Sequence, residues 1–206
     1  MSEARTSVRM PREQRREQVL DAARASFVAS GYHAAGMDDI AERAGVSKPV
    51  LYQHFPGKLD LYLAILDASI DDLLATIEVA LRTTTNNKQR VQATVAAYFD
   101  FVDDPLGAYR LVFESDLTHE AAVRERVERV ERALAEEIAN VIAADTGLSS
   151  QEALLLGRGL QGMAHVAARG WLRDESAGIP RADAAALIAA LAWRGIRGFP
   201  LTHPPA

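Results

Sequence analysis

The chain has 206 residues, 49% of them hydrophobic, which is enough to bury a substantial core and excludes general disorder. It has no cysteine, so a disulfide framework and a thiolate zinc site are excluded, and a reducing, cytoplasmic setting fits. The formal net charge of -5 argues at first against a polyanionic partner, but the charge is segregated: residues 1–60 carry 9 Lys and Arg against 8 Asp and Glu, and the remainder 14 against 20.

The first residues, MSEARTSVRMPREQRRE, are charged and lack an apolar core, and no later stretch reaches the roughly 18 to 20 uninterrupted apolar residues of a membrane span. A soluble cytoplasmic protein with no membrane partner is the expectation. Arg5, Arg9, Arg12, Arg15 and Arg16 make an arm that could reach phosphates, and a solvated tail without a task accounts for them equally well. Val19, Leu20, Ala22, Ala23 and Phe27 recur at helical spacing, with Gly31 where that helix would end. A second helix is predicted from Gly36, with Asp38 and Asp39 favourable to its dipole and Ile40, Ala41 and Ala44 facing inward. Gly45 ends it. Ser47 is placed to cap a third helix with Pro49 in its first turn, and Pro56-Gly57 stops that helix after Phe55.

From Lys58 the pattern lengthens, because Leu59, Tyr62, Leu63, Leu66, Ile70, Leu73, Leu74, Ile77 and Leu81 form one unbroken amphipathic stripe. A polar loop over residues 83–87 precedes a helix marked by Val91, Val95, Tyr98, Phe99 and Val102, which ends near Asp103-Asp104-Pro105. A short helix over residues 109–113 follows. Val123, Val127, Val130, Leu134, Ile138, Val141 and Ile142 mark a helix whose other faces carry alternating charges, closed by Gly147. Ser149 and Glu152 have capping-box spacing, and the helix they open sets Gly159, Gly162 and Val166 at helical intervals, where small residues permit close approach of another helix. Pro180 opens a last helix with Ala185, Ala186, Ala189, Ala190 and Trp193. No strand pattern occurs, so the predicted fold is all-α with about nine helices.

Residues 37–55, MDDIAERAGVSKPVLYQHF, meet the requirements of a helix-turn-helix: small Ala41 at the crossing, Gly45 at the turn, and Ile40, Val46 and Leu51 locking the angle. On the second helix Lys48, Tyr52, Gln53 and His54 offer a cation, two hydrogen-bonding rings and an amide, the groups that touch phosphates and base edges. Ser47 leaves the helix N-terminus free to face a phosphate. A small helical hairpin with a polar surface would show the same spacing.

The stretch GYHAAGMDDIAERAGVSKPVLYQHFPGKLDLYLAIL resembles, densely and without gaps, the DNA-binding domain of TetR-type repressors. The resemblance runs from the first helix into the fourth; beyond it only helix number and length agree. It implies a DNA-binding domain over residues 1–57, arm included, and a ligand-binding and dimerisation domain over 58–206. It also implies a homodimer on a palindromic duplex operator, a ligand-responsive regulator, most often a repressor, released by a small molecule. Lys48 and Pro49 would then approach bases, with Ser47, Tyr52, Gln53 and His54 on backbone or base edges, Lys58 on a phosphate and Arg12 in the arm. Ala35 and Gly36 stand where the family carries a phosphate-binding threonine, so that contact must be lost or taken over by backbone N–H. Pro49 stands where the family has Gly or Thr.

A narrower stretch, YHAAGMDDIAERAGVSKPVLYQHF with FDF and GAYRLVFESD, resembles actinobacterial TetR-type regulators of fatty-acid synthesis, whose effectors are long-chain acyl-CoA. That likeness implies a long apolar tunnel with a basic mouth for phosphates. Large apolar residues on inward faces are the candidate lining: Leu66, Ile70, Leu74, Phe99, Val102, Tyr109, Phe113, Leu160, Met163 and Trp171, each equally suited to ordinary core. The last two helices, through Gly159, Gly162, Val166, Ala189 and Trp193, are the candidate dimer contacts. His33, His119, His165 and His203 show no metal-site spacing, and no catalytic constellation or cofactor motif is present, so no enzyme, metal or cofactor is expected. An all-helical enzyme or ligand-carrier whose N-terminal helices are merely structural, and a protein-binding adaptor, stay open as alternatives.

Overall fold

The computed structural model describes residues 11–117, 119–173 and 178–195, so Arg5, Arg9 and His203 lie outside the described residues. Among these there are nine α-helices and no strand: α1 Arg12–Ala34, α2 Met37–Arg43, α3 Lys48–His54, α4 Lys58–Arg82, α5 Asn87–Val102, α6 Ala108–Phe113, α7 Ala121–Thr146, α8 Ser150–Arg173 and α9 Arg181–Arg194. None of the described helices is long and apolar enough to cross a membrane.

Helix α1 starts earlier than its apolar pattern, because the charged residues after Pro11 need no core to face and make an exposed first turn. Further along, Val19, Ala22, Ala23 and Phe27 are buried against α2, α4 and α6. The α2–α3 reversal rests on Gly45, whose φ of 61° is open to glycine and strained for other residues. That conformation lets Gly45 N–H donate to the Glu42 carbonyl (2.9 Å) and Val46 N–H to that of Ala41 (3.0 Å), so the freed carbonyls at the end of α2 keep partners. Ile40, Ala41, Ala44, Leu51 and Phe55 are all buried in the angle between the helices. Ser47 holds the N-cap position of α3, but its hydroxyl makes no capping hydrogen bond; the side chain is turned to solvent.

Helix α4 runs through the molecule as its axis. Leu61, Tyr62, Ile65, Leu66, Ile70, Leu73 and Ile77 are buried along it, and one continuous core joins Val19 of α1 to Ala189 of α9 through them. Tyr62 ties α4 to α6: its hydroxyl donates toward the Leu111 carbonyl (2.9 Å) and lies 2.7 Å from Ser115 Oγ. The C-terminal helices pack α7 along α8, α5 along α9, and both pairs on α4.

The close approach of α8 to another helix depends on a glycine other than those picked out by spacing. A Cβ on Gly157 would run into the Ala135 carbonyl and stand 3.2 Å from Ala139 N, whereas at Gly159 and Gly162 it would meet nothing. Gly157 therefore sets the α7–α8 separation, and the other two glycines face outward. The capping box forms as spacing predicts: Ser149 N–H donates to Glu152 Oε2 (2.9 Å) and Glu152 N–H reaches back to Ser149 Oγ (3.4 Å).

Candidate nucleic-acid interface and effector cavity

On α3 the sequence alternates what must be hidden with what must be shown. Leu51 is fully buried, while Lys48, Pro49, Tyr52 and Gln53 are exposed on the opposite side. Tyr52 keeps 41% of its surface in solvent, an expense of apolar area that makes sense where a partner covers the ring. Ser47, Gln53 and His54 share a concavity with Arg12 and Arg15 from the first turns of α1, so the start of α1 and the end of α3 meet on one surface. Arg16 stacks over the Phe55 ring at 5.1 Å. Burial first, then the guanidiniums of Arg12, Arg16 and Arg15, hold the His54 imidazole below its ordinary pKa, so it offers a neutral donor–acceptor ring.

Two of the expected contact residues have partners inside the protein. Lys48 Nζ pairs with Asp38 Oδ1 at 2.8 Å, an exposed bridge from α3 to the first turn of α2, and that carboxylate raises the Lys48 pKa. Asp39 meanwhile folds over Gly36, so the first turn of α2 is fronted by two carboxylates where the sequence leaves a backbone N–H as the replacement phosphate contact. Lys58 Nζ donates to the carbonyls of Ala35 (2.7 Å) and His33 (3.1 Å) and lies 4.7 Å above the Tyr32 ring, closing the end of α1 onto the start of α4. A phosphate contact from Lys58 requires exchanging those bonds. Asp38 was not legible as a partner of Lys48, since the two stand ten residues apart and meet only because Gly45 turns α3 across α2.

Within the C-terminal helices lies a cavity of about 330 Å³, walled by α4, α5, α7, α8 and α9. Its α5 wall runs from Asn87 to Tyr98, about 16 Å at 1.5 Å per residue. Asn87, Arg90, Asp145 and Thr146 stand at the solvent end; Tyr98, Leu134 and Ile77 are buried at the far end. Apolar side chains such as Leu81, Val91, Ile138, Val141 and Ile142 make most of the wall between. The cavity mouth departs from the expected basic one. Arg90 is the one Lys or Arg in the lining, and it already pairs with Asp145 (2.6 Å) while donating to Asn87 Oδ1 (2.8 Å) and the Thr84 carbonyl (2.6 Å).

Of the ten residues proposed to line an effector site, Leu160 and Met163 stand in the wall of this cavity. Leu66, Ile70, Phe99, Val102 and Tyr109 are buried in the common core instead, and Leu74, Phe113 and Trp171 pack against it. These eight are packed among neighbouring side chains of the common core. Trp171 is fastened by its indole N–H to the Ile179 carbonyl (2.8 Å) and lies against Phe99 at 5.8 Å. Trp193, assigned to dimer contacts, also lines the cavity and is 46% exposed. Arg90, Thr94, Asp145 and Gln161 were missed; a polar residue at every fourth position of α5, Arg90, Thr94 and Tyr98, was the available signal.

The proposed dimer residues divide. Gly159, Gly162 and Val166, with Leu155 (71% exposed) one turn ahead, form an outward stripe on α8 that this protomer leaves uncovered. Ala189 is 2% exposed and packs inward against α5.

An outward polar helix held by a helix-turn-helix, with a hollow helical bundle behind it, defines a DNA-binding transcriptional regulator. Residues 19–65 match the family model described as bacterial regulatory proteins, tetR family. The chain is 45% identical over 195 residues to the HTH-type transcriptional activator FasR of Mycolicibacterium smegmatis, covering 95% of this chain and 89% of that one. Among solved structures it is similar to a TetR-like transcriptional regulator from Rhodococcus sp. RHA1, with a TM-score of 0.69, 27% identity, and 93% and 100% of the two chains covered. The fold is also that of FadR from Bacillus subtilis in complex with stearoyl-CoA, at a TM-score of 0.70, 16% identity, and 87% and 98% coverage. The chain belongs to the TetR family, and it is a transcriptional regulator rather than an enzyme.

Proposed function

We propose that this chain works as a homodimer on a palindromic operator, residues 1–57 reading DNA and residues 58–206 sensing an apolar or amphipathic effector. The observation that carries the DNA half is the division of α3, with Leu51 fully buried and Lys48, Tyr52 and Gln53 exposed one turn apart. In the bound state α3 enters the major groove. Lys48 and Pro49 approach base edges, Tyr52, Gln53, His54 and Ser47 meet edges or backbone, and Arg12 and Lys58 meet phosphates. The outward α8 stripe through Gly159, Gly162 and Val166, with Trp193 of α9, supports a two-fold contact that sets two α3 helices one DNA turn apart, about 34 Å. Ala189 takes no part in that contact.

The apolar lining of the cavity supports an effector of the long-chain acyl class, as does the stearoyl-CoA bound by FadR of the same fold. The sign of control follows from where the operator lies relative to the promoter. Repression, implied by the family resemblance, and activation, as in the name of FasR, begin with the same DNA contact.

The test is binding to a palindromic duplex that the protein itself selects from random sequence, followed by fluorescence anisotropy. Lys48→Ala combined with Tyr52→Ala is expected to weaken binding by about 100-fold or more while sedimentation still reports a dimer and the helical circular dichroism is unaltered. Affinity should fall steeply as salt rises. Undiminished binding by the double variant would remove α3 as the reader.

A further inference from the structure

The helices that face DNA carry their charge the wrong way for a polyanion. Over α2 and α3, residues 37–54, Asp38, Asp39 and Glu42 stand against Arg43 and Lys48, while Arg12, Arg15 and Arg16 lie at the start of α1. Lys48 is the one Lys or Arg of α3, and it is engaged: its Nζ sits between both oxygens of Asp38, 2.8 Å from Oδ1 and 2.9 Å from Oδ2. The side chains of Lys48 and Asp38 keep 58% and 68% of their surface in solvent, so the pair faces outward, on the side that Tyr52 and Gln53 also face.

The α2–α3 angle does not need this bridge. Ile40, Ala41, Ala44, Leu51 and Phe55 are buried in it, and an exposed ion pair adds little to stability. The bridge acts instead on what Lys48 can bind. An ammonium has three N–H donors, so where Lys48 meets a guanine edge, O6 and N7 take two and Asp38 keeps the third, with no like charges brought together. Where Lys48 meets a phosphate, a carboxylate and a phosphate oxygen share one ammonium about 4–5 Å apart and repel, so the bridge must break. Asp39, whose carboxylate is folded back over Gly36, adds a second negative charge at the same end of α2. Binding that ignores sequence comes almost wholly from phosphates, and the carboxylate therefore weakens it more than it weakens contact with bases.

We infer that Asp38 is a specificity-determining residue of the DNA-reading surface: by holding Lys48 on both carboxylate oxygens it withholds that ammonium from phosphates and leaves it to a guanine edge. The inference rests on α3 being the helix that enters the groove, and it assigns part of the discrimination between operator and other DNA to a residue outside α3. Attraction to DNA of any sequence then comes from Arg12 and Arg15 at the start of α1, and Lys48 contributes where the bases fit.

The test compares wild type, Asp38→Asn, Lys48→Ala and the double variant. Each is titrated by fluorescence anisotropy on the self-selected operator and on a scrambled duplex of the same length and composition. At about 0.1 M salt Asp38→Asn is expected to gain about tenfold on the scrambled duplex, the worth of one added phosphate contact, and its salt slope there should steepen by about 0.9. On the operator its gain should be about two- to fivefold, so that discrimination between the two duplexes falls by about two- to fivefold. In the Lys48→Ala background the gain on the scrambled duplex should shrink to about twofold or less, and Lys48→Ala alone should lose about tenfold or more on the operator. Equal gains of Asp38→Asn on the two duplexes, or a larger gain on the operator, overturn the role of Asp38, and the loss in Lys48→Ala then still marks α3 as the reader. A gain undiminished in the Lys48→Ala background overturns it as well, since the carboxylate would then act on phosphates by its own charge. Undiminished operator binding by Lys48→Ala overturns both the inference and the reading it rests on.

Discussion

Two helices of this chain carry polar side chains one turn apart beside a hydrophobic core. On α3, Lys48 and Tyr52 point away from a core filled by Ile40, Leu51 and Phe55. On α5, Arg90, Thr94 and Tyr98 point toward a core with a hole in it. The same spacing serves opposite ends because the neighbours differ. Around α3 the core side is filled by Ile40, Leu51 and Phe55, so polarity is left at the surface, where the proposed function has it meet a partner from outside. Around α5 the facing residues of α7 and α8 stop short, so polarity turns inward, where each group must be paired or wait for a partner.

If the two regions share one core, damage at α3 must be felt in the bundle. Leu51→Ala removes a fully buried side chain and is expected to cost about 2–5 kcal/mol. Because the buried cluster is continuous through α4, circular dichroism and tryptophan fluorescence, which reports α8 and α9 alone, should shift together in one lowered transition. Two separate transitions would show that the helix-turn-helix melts independently.

A smaller effect sharpens the bundle side. Gly157→Val places branched carbons against the α7 backbone at Ala135 and Ala139 and is expected to cost about 1–3 kcal/mol, and more if α7 cannot move. Gly159→Ala, two residues on, meets nothing in the protomer and should leave its melting unaltered or raised. A change in sedimentation of Gly159→Ala alone would locate the dimer contact on the outward stripe.

At α3 the sharpest electrostatic test is Asp38→Asn. The Lys48–Asp38 bridge is exposed on both sides, so its contribution to stability is small and melting should hardly move. Its loss frees Lys48 for DNA, and operator affinity is expected to rise about two- to fivefold at low salt, with the gain fading above about 0.3 M as screening shortens. Weaker binding by this variant would mean that Asp38 positions Lys48 for the groove.

The helices of the N-terminal third were legible in the sequence, though α1 begins seven residues before its apolar pattern and runs past Gly31 to Ala34, and the Ser47 cap does not form. Gly45, Ser47, Pro49 and Pro56-Gly57 are local signals, each acting through its own backbone, and the helices they bound stand where spacing puts them. The positions of all the longer helices were legible too. What periodicity left open was which inward residue meets a neighbour and which meets a void: Leu66 and Leu160 have the same character in sequence, and one is core and the other cavity wall. That difference is set by how far apart α5, α7 and α8 stand, and the α7–α8 approach depends on the single small residue Gly157, one of four glycines in its helix. Pairings across helices, such as Lys48 with Asp38 and Arg90 with Asp145, were likewise outside any local pattern.

The smallest expected effect probes the floor of the cavity. His165 is half-buried among the rings of Tyr98, Tyr109 and Phe113, and burial, followed by the Arg169 guanidinium, lowers its pKa, with Glu114 opposing. Burial also raises the Tyr98 phenol, so that group keeps its proton, and its Oη is hydrogen-bonded to His165 Nδ1 at 2.8 Å. A histidine whose folded pKa is lowered binds a proton more readily in the unfolded chain. Its contribution is therefore fully present above about 6.5 and is lost as the pH falls through that value toward the folded pKa. Melting temperature should decline between about pH 7 and 5.5, and His165→Gln, which keeps an acceptor for Tyr98 but cannot charge, should flatten that decline. An unchanged slope in the variant would assign the acid sensitivity elsewhere, to His54, which lies beside the arm arginines and carries a shift of the same sign. The two histidines can then be told apart by ligand: an effector in the cavity should move the pH dependence of His165, while operator DNA, whose phosphates favour the protonated ring, should raise the pKa of His54.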